Sequence, residues 1–341
     1  MPISLTRRAA LAGLVAAPAA IAAGRGRAAP RTLKISHQFP GGTIDSGDFR
    51  DRLCRKFAAE VEKRTGGELR FDVYANSSLM KTNAQFSALR KGALDLSLYP
   101  VIYAGGEIPE LNITFMPAVV TSYEQAYAWK GAEIGSELER LLESKGVRIL
   151  TWVWQSGGIA SRVHPIVRPA DARGLKIRGG SREMDIMFQA AGAAVMNMPS
   201  NEIYISLQTG AIDAAATSST SLISFRLQEL SKNLTSAGGK SFFFVLEPLL
   251  VSKSIFDSLP AEQQKVMLEV GRELEPFGLS AARADDAAMA EVYAKAGCGV
   301  HDMDEAAVAA WREVARGSAW KDYAERSPNT ARFLKLAQAV A

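Results

Sequence analysis

A chain of 341 residues, 48% hydrophobic and 22% charged, is long enough for two domains with full cores and too apolar for disorder. Its formal charge of +4 would point to a polyanionic partner, but Arg7, Arg8, Arg25 and Arg27 supply all of it, and residues 30 onward carry 36 basic and 36 acidic side chains. Most of the protein therefore gives no support for a nucleic-acid or membrane-surface footprint.

Residues 1–29 hold twin arginines, an Ala/Leu/Val run from Ala9 to Ala23, and small-residue cleavage options near Ala22 and Ala29. The run is too short and too alanine-rich for a good membrane span and reads as an export signal, removed to leave a periplasmic protein. T-R-R-A-A-L is similar to a twin-arginine signal, with Ala10 where an aromatic is common; a Sec signal with two arginines stays open. Export would permit a bridge between Cys54 and Cys298. Cys54, however, shares an amphipathic pattern with Leu53, Phe57 and Val61 that favours a buried free thiol.

From Thr32, L-K-I-S-H-Q-F predicts a strand ending at Pro40-Gly41-Gly42, and Phe49 to Arg64 a helix stopped by T-G-G at 65–67. A strand over Glu68 to Tyr74, a helix over Asn83 to Lys91 closed by Gly92, and a short strand over Leu94 to Leu98 follow. A helix over Tyr123 to Ser144 and a strand over Val147 to Trp154 complete a first α/β unit. The second begins with the strand R-G-L-K-I-R, helices over Met184 to Ala191 and Asn201 to Thr209, and a strand over Ala211 to Ala216. S-F-F-F-V-L-E-P-L-L-V-S then reads as one long strand, able to leave one domain and enter the other. A helix starts near Ser258 and Pro260, and the remainder is mostly helical, broken near residues 297–302. Repeated βα alternation with short connections predicts mostly parallel sheet flanked by helices.

Two segments carry a resemblance. Pro165, Ile166, Asp171, Ala172, Gly174, Leu175, Lys176, Ile177 and Arg178 are followed by Glu202, Ile203, Tyr204, Leu207, Gln208, Gly210, Ile212 and Asp213. In this order they resemble the periplasmic solute-binding proteins of TRAP transporters, the DctP type. T-G-G-E-L at 65–69, G-A-L-D-L at 92–96 and S-L-P-A-E-Q-Q-K-V at 258–266 match further landmarks. The resemblance implies a two-domain α/β periplasmic binding protein fold with a hinge, a long domain-spanning helix and additional C-terminal helices. The expected division is 30–155 plus about 245–284 for domain I, 156–244 plus about 285–310 for domain II, and 311–341 for the terminal helices. It also implies that the protein captures an organic acid and delivers it to the membrane subunits of a TRAP transporter; no enzyme activity and no cofactor are expected, no residues are assigned to a metal, and whether a metal ion bridges ligand and protein stays open.

Arg178 is the family's carboxylate anchor, and a planar guanidinium grips a carboxylate through two parallel hydrogen bonds that lysine cannot make. Gly179 and Gly180 leave its surroundings uncrowded. Many members add a second arginine, but Gly158 stands at that position and Arg162 four residues later. Trp154, Gln155, Tyr99, Ser200, Asn201, Thr217, Ser218 and His37 are the remaining candidate ligand residues. Core packing competes as the role of the tryptophan, helix capping as that of Asn201 and of Thr217 to Ser221, and a turn histidine as that of His37. The missing second arginine and the tryptophan favour a monocarboxylate, a 2-oxo or 2-hydroxy acid with an apolar or aromatic tail, over a dicarboxylate. A sensory receptor for the same acid and an exported enzyme are the competing functions. Against an enzyme, His37, His164 and His301 lack zinc-like spacing, and no G-x-S-x-G elbow occurs. G-G-K-S at 238–241 has Leu234 where a phosphate loop needs its first glycine, and G-R-G-R-A-A at 24–29 lies within the leader.

Overall fold

The computed structural model describes Met1, residues 29–238 and residues 240–340. The export signal expected over residues 1–29 falls almost wholly on residues 2–28, which lie outside the described residues. The order runs β1 (Arg31–Ser36), α1 (Phe49–Arg64), β2 (Leu69–Tyr74), α2 (Thr82–Arg90), β3 (Leu96–Leu98), α3 (Tyr123–Ala128), α4 (Glu133–Ser144) and β4 (Val147–Thr151). It continues through β5 (Trp154–Ser161), β6 (Lys176–Arg178), α5 (Arg182–Ala190), β7 (Ala194–Val195), α6 (Ile203–Gln208), β8 (Ala214–Ser218), α7 (Ser219–Ser224), β9 (Asn233–Ser236) and β10 (Phe244–Leu246). Last come β11 (Leu249–Ser252), α8 (Lys253–Asp257), α9 (Ala261–Glu273), α10 (Glu275–Lys295), β12 (Gly299–Asp302), α11 (Glu305–Ala315), α12 (Lys321–Arg326) and α13 (Pro328–Gln338).

Two sheets form, ordered β2-β1-β3-β11-β4 and β12-β9-β5-β8-β6-β7, with β10 paired to β5. The expectation of mostly parallel pairing holds for β1 with β2 and β3, and for β6 with β7 and β8. It fails at β5, antiparallel to β8, β9 and β10, and at β11, antiparallel to β3 and β4. The cause is topological: the chain passes from the first sheet to the second through Trp152 and Val153 and returns through Glu247 and Pro248, so the two passages run in opposite directions. Pro248 cannot donate to a ladder, and the single strand expected over 241–252 is split there into β10 and β11. The passages are tied by Glu247 N donating to Val153 O at 2.8 Å. The helix expected over Tyr123 to Ser144 is likewise interrupted by a 3₁₀ turn at Trp129–Gly131.

The 21-residue helix α10, about 30 Å long at the helical rise, packs on α1 of the first layer set and on α7, β9 and β12 of the second. No described helix is long and apolar enough to cross a membrane. Both cysteines are buried and free, Cys54 inside α1 against the core.

The C-terminal helices clasp the two halves. α13 packs on α4, whereas α11 packs on α5. Trp320 Nε1 donates to Pro117 O at 2.8 Å, and Tyr323 OH to Glu110 O at 2.8 Å. Arg326 Nη2 reaches Glu183 Oε1 at 2.6 Å, which also accepts from Asn112 Nδ2 at 3.0 Å. Burial pushes the Glu183 carboxyl up, a shift that Arg326 only partly offsets. Arg326→Ala is expected to destabilise the protein by about 1–3 kcal/mol at neutral pH by stripping a buried carboxylate of its charged partner. A carboxyl whose folded pKa is raised costs stability above that pKa and recovers it on protonation, so the loss should shrink as the pH of urea melts is lowered into the acid range where Glu183 takes up its proton.

Candidate ligand-binding site

Arg178 ends β6, whose Ile177 and Arg178 lie in register with Ala214 and Ala215 of β8. The side chain is 2% exposed. Its Nε donates to Met198 O at 3.0 Å, Nη1 to Ala216 O at 2.7 Å, and Nη2 to Tyr103 OH at 3.3 Å. A guanidinium has five N–H groups, so one N–H on each terminal nitrogen is left without an acceptor among the described residues. That is the donor pair a carboxylate needs. Gly180 makes the pose possible: its φ of +92° suits glycine, and a Cβ there would stand 2.4 Å from Arg178 Nη1.

Arg178 faces a narrow cavity of about 10 Å³ between the two sheets, room for about one water. One side supplies Pro100, Ile102, Tyr103 and Phe115; the other supplies Gly180, Ser200, Thr217, Ser218 and Val245, with Glu247 from the return passage. A hollow of about 260 Å³ shares Ile102, Tyr103 and Gly180 with it and leads outward past Asn83 and Asn197. Tyr103 bridges the halves: its hydroxyl oxygen accepts from Arg178 and from Ser200 N at 3.0 Å. A larger hollow, about 350 Å³, lies beside Tyr123, Ser156, Arg283 and Asp286. It is a poorer carboxylate site, because Arg283 is paired with Glu124 and Asp286 already accepts from Tyr123 OH at 2.6 Å.

Behind the cavity lies a second, fully buried guanidinium that the sequence reading missed. Asp48 caps α1 and holds Arg50 through two bonds, Nε to Oδ1 at 2.9 Å and Nη2 to Oδ2 at 2.7 Å. Arg50 Nη1 reaches Ser221 Oγ at 3.0 Å and Glu247 Oε2 at 3.1 Å, and its guanidinium lies 3.5 Å over the ring of Phe39. Burial pushes Asp48 up, but Arg50 outweighs it and holds the carboxyl below the usual range. Burial of Glu247 wins over Arg50, and its carboxyl is pushed up. The only forewarning was an arginine two places after a capping aspartate, a pattern ordinary at exposed helix starts.

The structure brings Arg178, Ser200, Thr217 and Ser218 of the expected residues to the cavity. Ser218 also caps α7, accepting from Ser221 N, so the capping role applies to it as well. Gln155 stands one bond away, donating to Glu247. The other four do not line the cavity. Trp154 is a core residue, 1% exposed and edge-on to Trp129 at 5.3 Å, because alternation along β5 turns it inward. Tyr99 is buried between Phe86 and Tyr103. His37 is held by Asp51 Oδ1 at 3.0 Å and lies against Phe39. Asn201 faces Thr82 at 3.5 Å across the halves. At Gly158 a Cβ would stand 2.2 Å from Thr235 O, so an arginine has no room there, and Arg162 does not line the cavity either. Among the described residues no three His, Cys, Asp or Glu side chains form a metal cluster.

Two mixed α/β halves joined by two crossing passages, with a buried arginine between them, have the architecture of a two-domain solute-binding protein. Residues 47–326 match the DctP family, bacterial extracellular solute-binding protein family 7, and the chain belongs to it. A solute-binding protein of Albidiferax ferrireducens is 58% identical over 306 residues, 90% of each chain. A TRAP periplasmic solute binding protein from Rhodoferax ferrireducens, solved with bound malonate, superimposes with a TM-score of 0.89 at 57% identity, covering 90% of this chain and 98% of that one. One from Sulfitobacter sp. NAS-14.1, solved with β-D-galacturonate, shares the fold at 23% identity and a TM-score of 0.82, covering 91% of this chain and 100% of that one.

Gly180→Ala should destabilise the protein by about 1–2 kcal/mol, since alanine pays for the positive φ and its Cβ collides with the guanidinium. Urea denaturation beside Gly174→Ala, where φ is +77° but the Cβ would meet nothing, separates the collision from the backbone strain.

Proposed function

We propose that this protein is an extracytoplasmic receptor that captures a small organic acid by its carboxylate on Arg178 and delivers it to the membrane subunits of a TRAP-type transporter. The observation that carries the reading is the pair of unused Arg178 N–H groups facing a closed cavity. The match to a receptor family, rather than to enzymes, supports binding without turnover. Membership of an extracytoplasmic family, together with the twin-arginine leader, supports export to the periplasm.

Domain I is drawn over 30–155 plus about 245–284 and domain II over 156–244 plus about 285–310, with 311–341 terminal. The hinge is assigned to the two passages, Trp152-Val153 and Glu247-Pro248, where the chain leaves one sheet before joining the other. Closure would bring Tyr103 onto Ser200 and Arg178, removing water from the ion pair and strengthening it.

The cavity at Arg178, about 10 Å³, must widen to admit even a short acid, and the adjoining hollow of about 260 Å³ is the nearest space from which one would enter. Burial of Trp154 removes the reason for expecting an aromatic tail. Malonate in the Rhodoferax relative supports a ligand of that size and keeps a short dicarboxylate within the class.

Mature protein, unfolded and refolded to strip carried ligand, should rise in melting temperature by several degrees with short carboxylic acids and not with their amides. Arg178→Ala should stay folded and lose about 2–5 kcal/mol of binding, at least tenfold. Retained affinity removes Arg178 as the anchor; a response to amides alone removes the carboxylate reading.

A further inference from the structure

Glu247 carries an acceptor for which the protein provides no donor. The residue is 4% exposed. Its Oε2 accepts from Arg50 Nη1 and from Gln155 Nε2, while Oε1 accepts from no described residue. Glu247 lines the same cavity as Arg178, so a small ligand held by the arginine lies beside this carboxylate. An ionised carboxylate is acceptor-only and is costly to bury with an oxygen unpaired. A ligand carrying only acceptors, a fully ionised dicarboxylate included, would add its own negative charge and leave that oxygen unmet, whereas a singly protonated dicarboxylate such as hydrogen malonate would supply a donor.

From this we propose that Glu247 is a specificity-determining residue that accepts a hydrogen bond from a hydroxyl next to the ligand's carboxylate, so that the pocket selects short 2-hydroxy acids over 2-oxo and unsubstituted acids. The assignment rests on carboxylate capture at Arg178. Arg178 and Glu247 line one narrow cavity, and the proposal places carboxylate and donor on neighbouring carbons for that reason. A hydroxyl fits better than an ammonium, because Arg50 lies directly behind Glu247 and Arg178 faces the same space, and a third cation would be repelled by both. Ser200 Oγ, buried and without a partner, and Thr217 at the cavity wall complete a mixed donor and acceptor lining.

Isothermal titration with 2-hydroxybutanoate (both enantiomers), 2-oxobutanoate, butanoate and 2-aminobutanoate varies only the group on one carbon. The stripped wild-type protein should bind one 2-hydroxy enantiomer about tenfold or more tighter than the other three acids, as expected for a hydrogen bond to a charged group. Glu247→Gln keeps the side-chain volume and should compress that preference to about threefold or less while the oxo acid still binds. Equal wild-type affinity for butanoate and 2-hydroxybutanoate, or an unchanged preference in the variant, overturns the role of Glu247 but leaves capture at Arg178 standing. Absence of binding by every acid overturns both. Should Glu247→Gln fail to fold, Glu247→Asp, which keeps the charge and withdraws it, is expected to lose the hydroxy preference, and the wild-type ratios decide by themselves.

Discussion

Charge burial where the two sheets meet is the constraint on which the architecture turns. Asp48, Arg50, Arg178 and Glu247 are all nearly inaccessible, and each comes from a different place: the cap of α1, its first turn, the end of β6 and the return passage between sheets. An isolated charge there would be prohibitively costly, so each is held by partners of fixed geometry. Arg50 is matched by Asp48 in a two-bond pair and by Glu247, and its face is covered by Phe39. Arg178 has no such protein carboxylate in contact. Backbone carbonyls of Met198 and Ala216 and the oxygen of Tyr103 orient it without neutralising it. The two arginines differ in that Arg50 is neutralised by protein carboxylates, whereas Arg178 is oriented by neutral acceptors alone.

The placement of Arg178 was legible in sequence because the segment that carries it is local: a short strand, a positive-φ glycine and a helix cap at Ser181 follow one another directly. Ser200, Thr217 and Ser218 were found for the same reason, lying where neighbouring strands end beside β6. Arg50, Tyr103 and Glu247 were not, because their roles arise from contacts across long sequence separations. Nothing near Tyr103 in the chain announces that its hydroxyl will meet Ser200 N. Trp154 illustrates the opposite failure. A tryptophan at the edge of a domain crossing looks like a cleft wall, but strand alternation places it against Trp129, and periodicity alone does not say which face is the core.

The crossing passages explain why the sheets are mixed rather than parallel. A chain built only from βα units would leave one connection between halves, and relative motion would be unconstrained. The second passage, forced antiparallel, is tied to the first by Glu247 N and Val153 O, and Pro248 O accepts from Tyr99 N at 3.1 Å. A paired crossing permits bending while opposing twist. It also carries Glu247 into the cavity, so on the receptor reading the residue proposed to meet the ligand belongs to the segment assigned to bend.

On the receptor reading, the arrangement supplies the thermodynamics of ligand-dependent closure. With the halves together and no ligand, two Arg178 N–H groups, Glu247 Oε1 and Ser200 Oγ lie in a small cavity with no protein partner. Each buried polar group left unmet costs about 1–3 kcal/mol, whereas opening returns them to water. A ligand bearing a carboxylate and a donor meets these groups in the closed form only, and its differential affinity for that form sets how far the equilibrium moves. Groups left unsatisfied by the protein thus have two effects: they hold the empty receptor back from closing, and they define what must enter before it does.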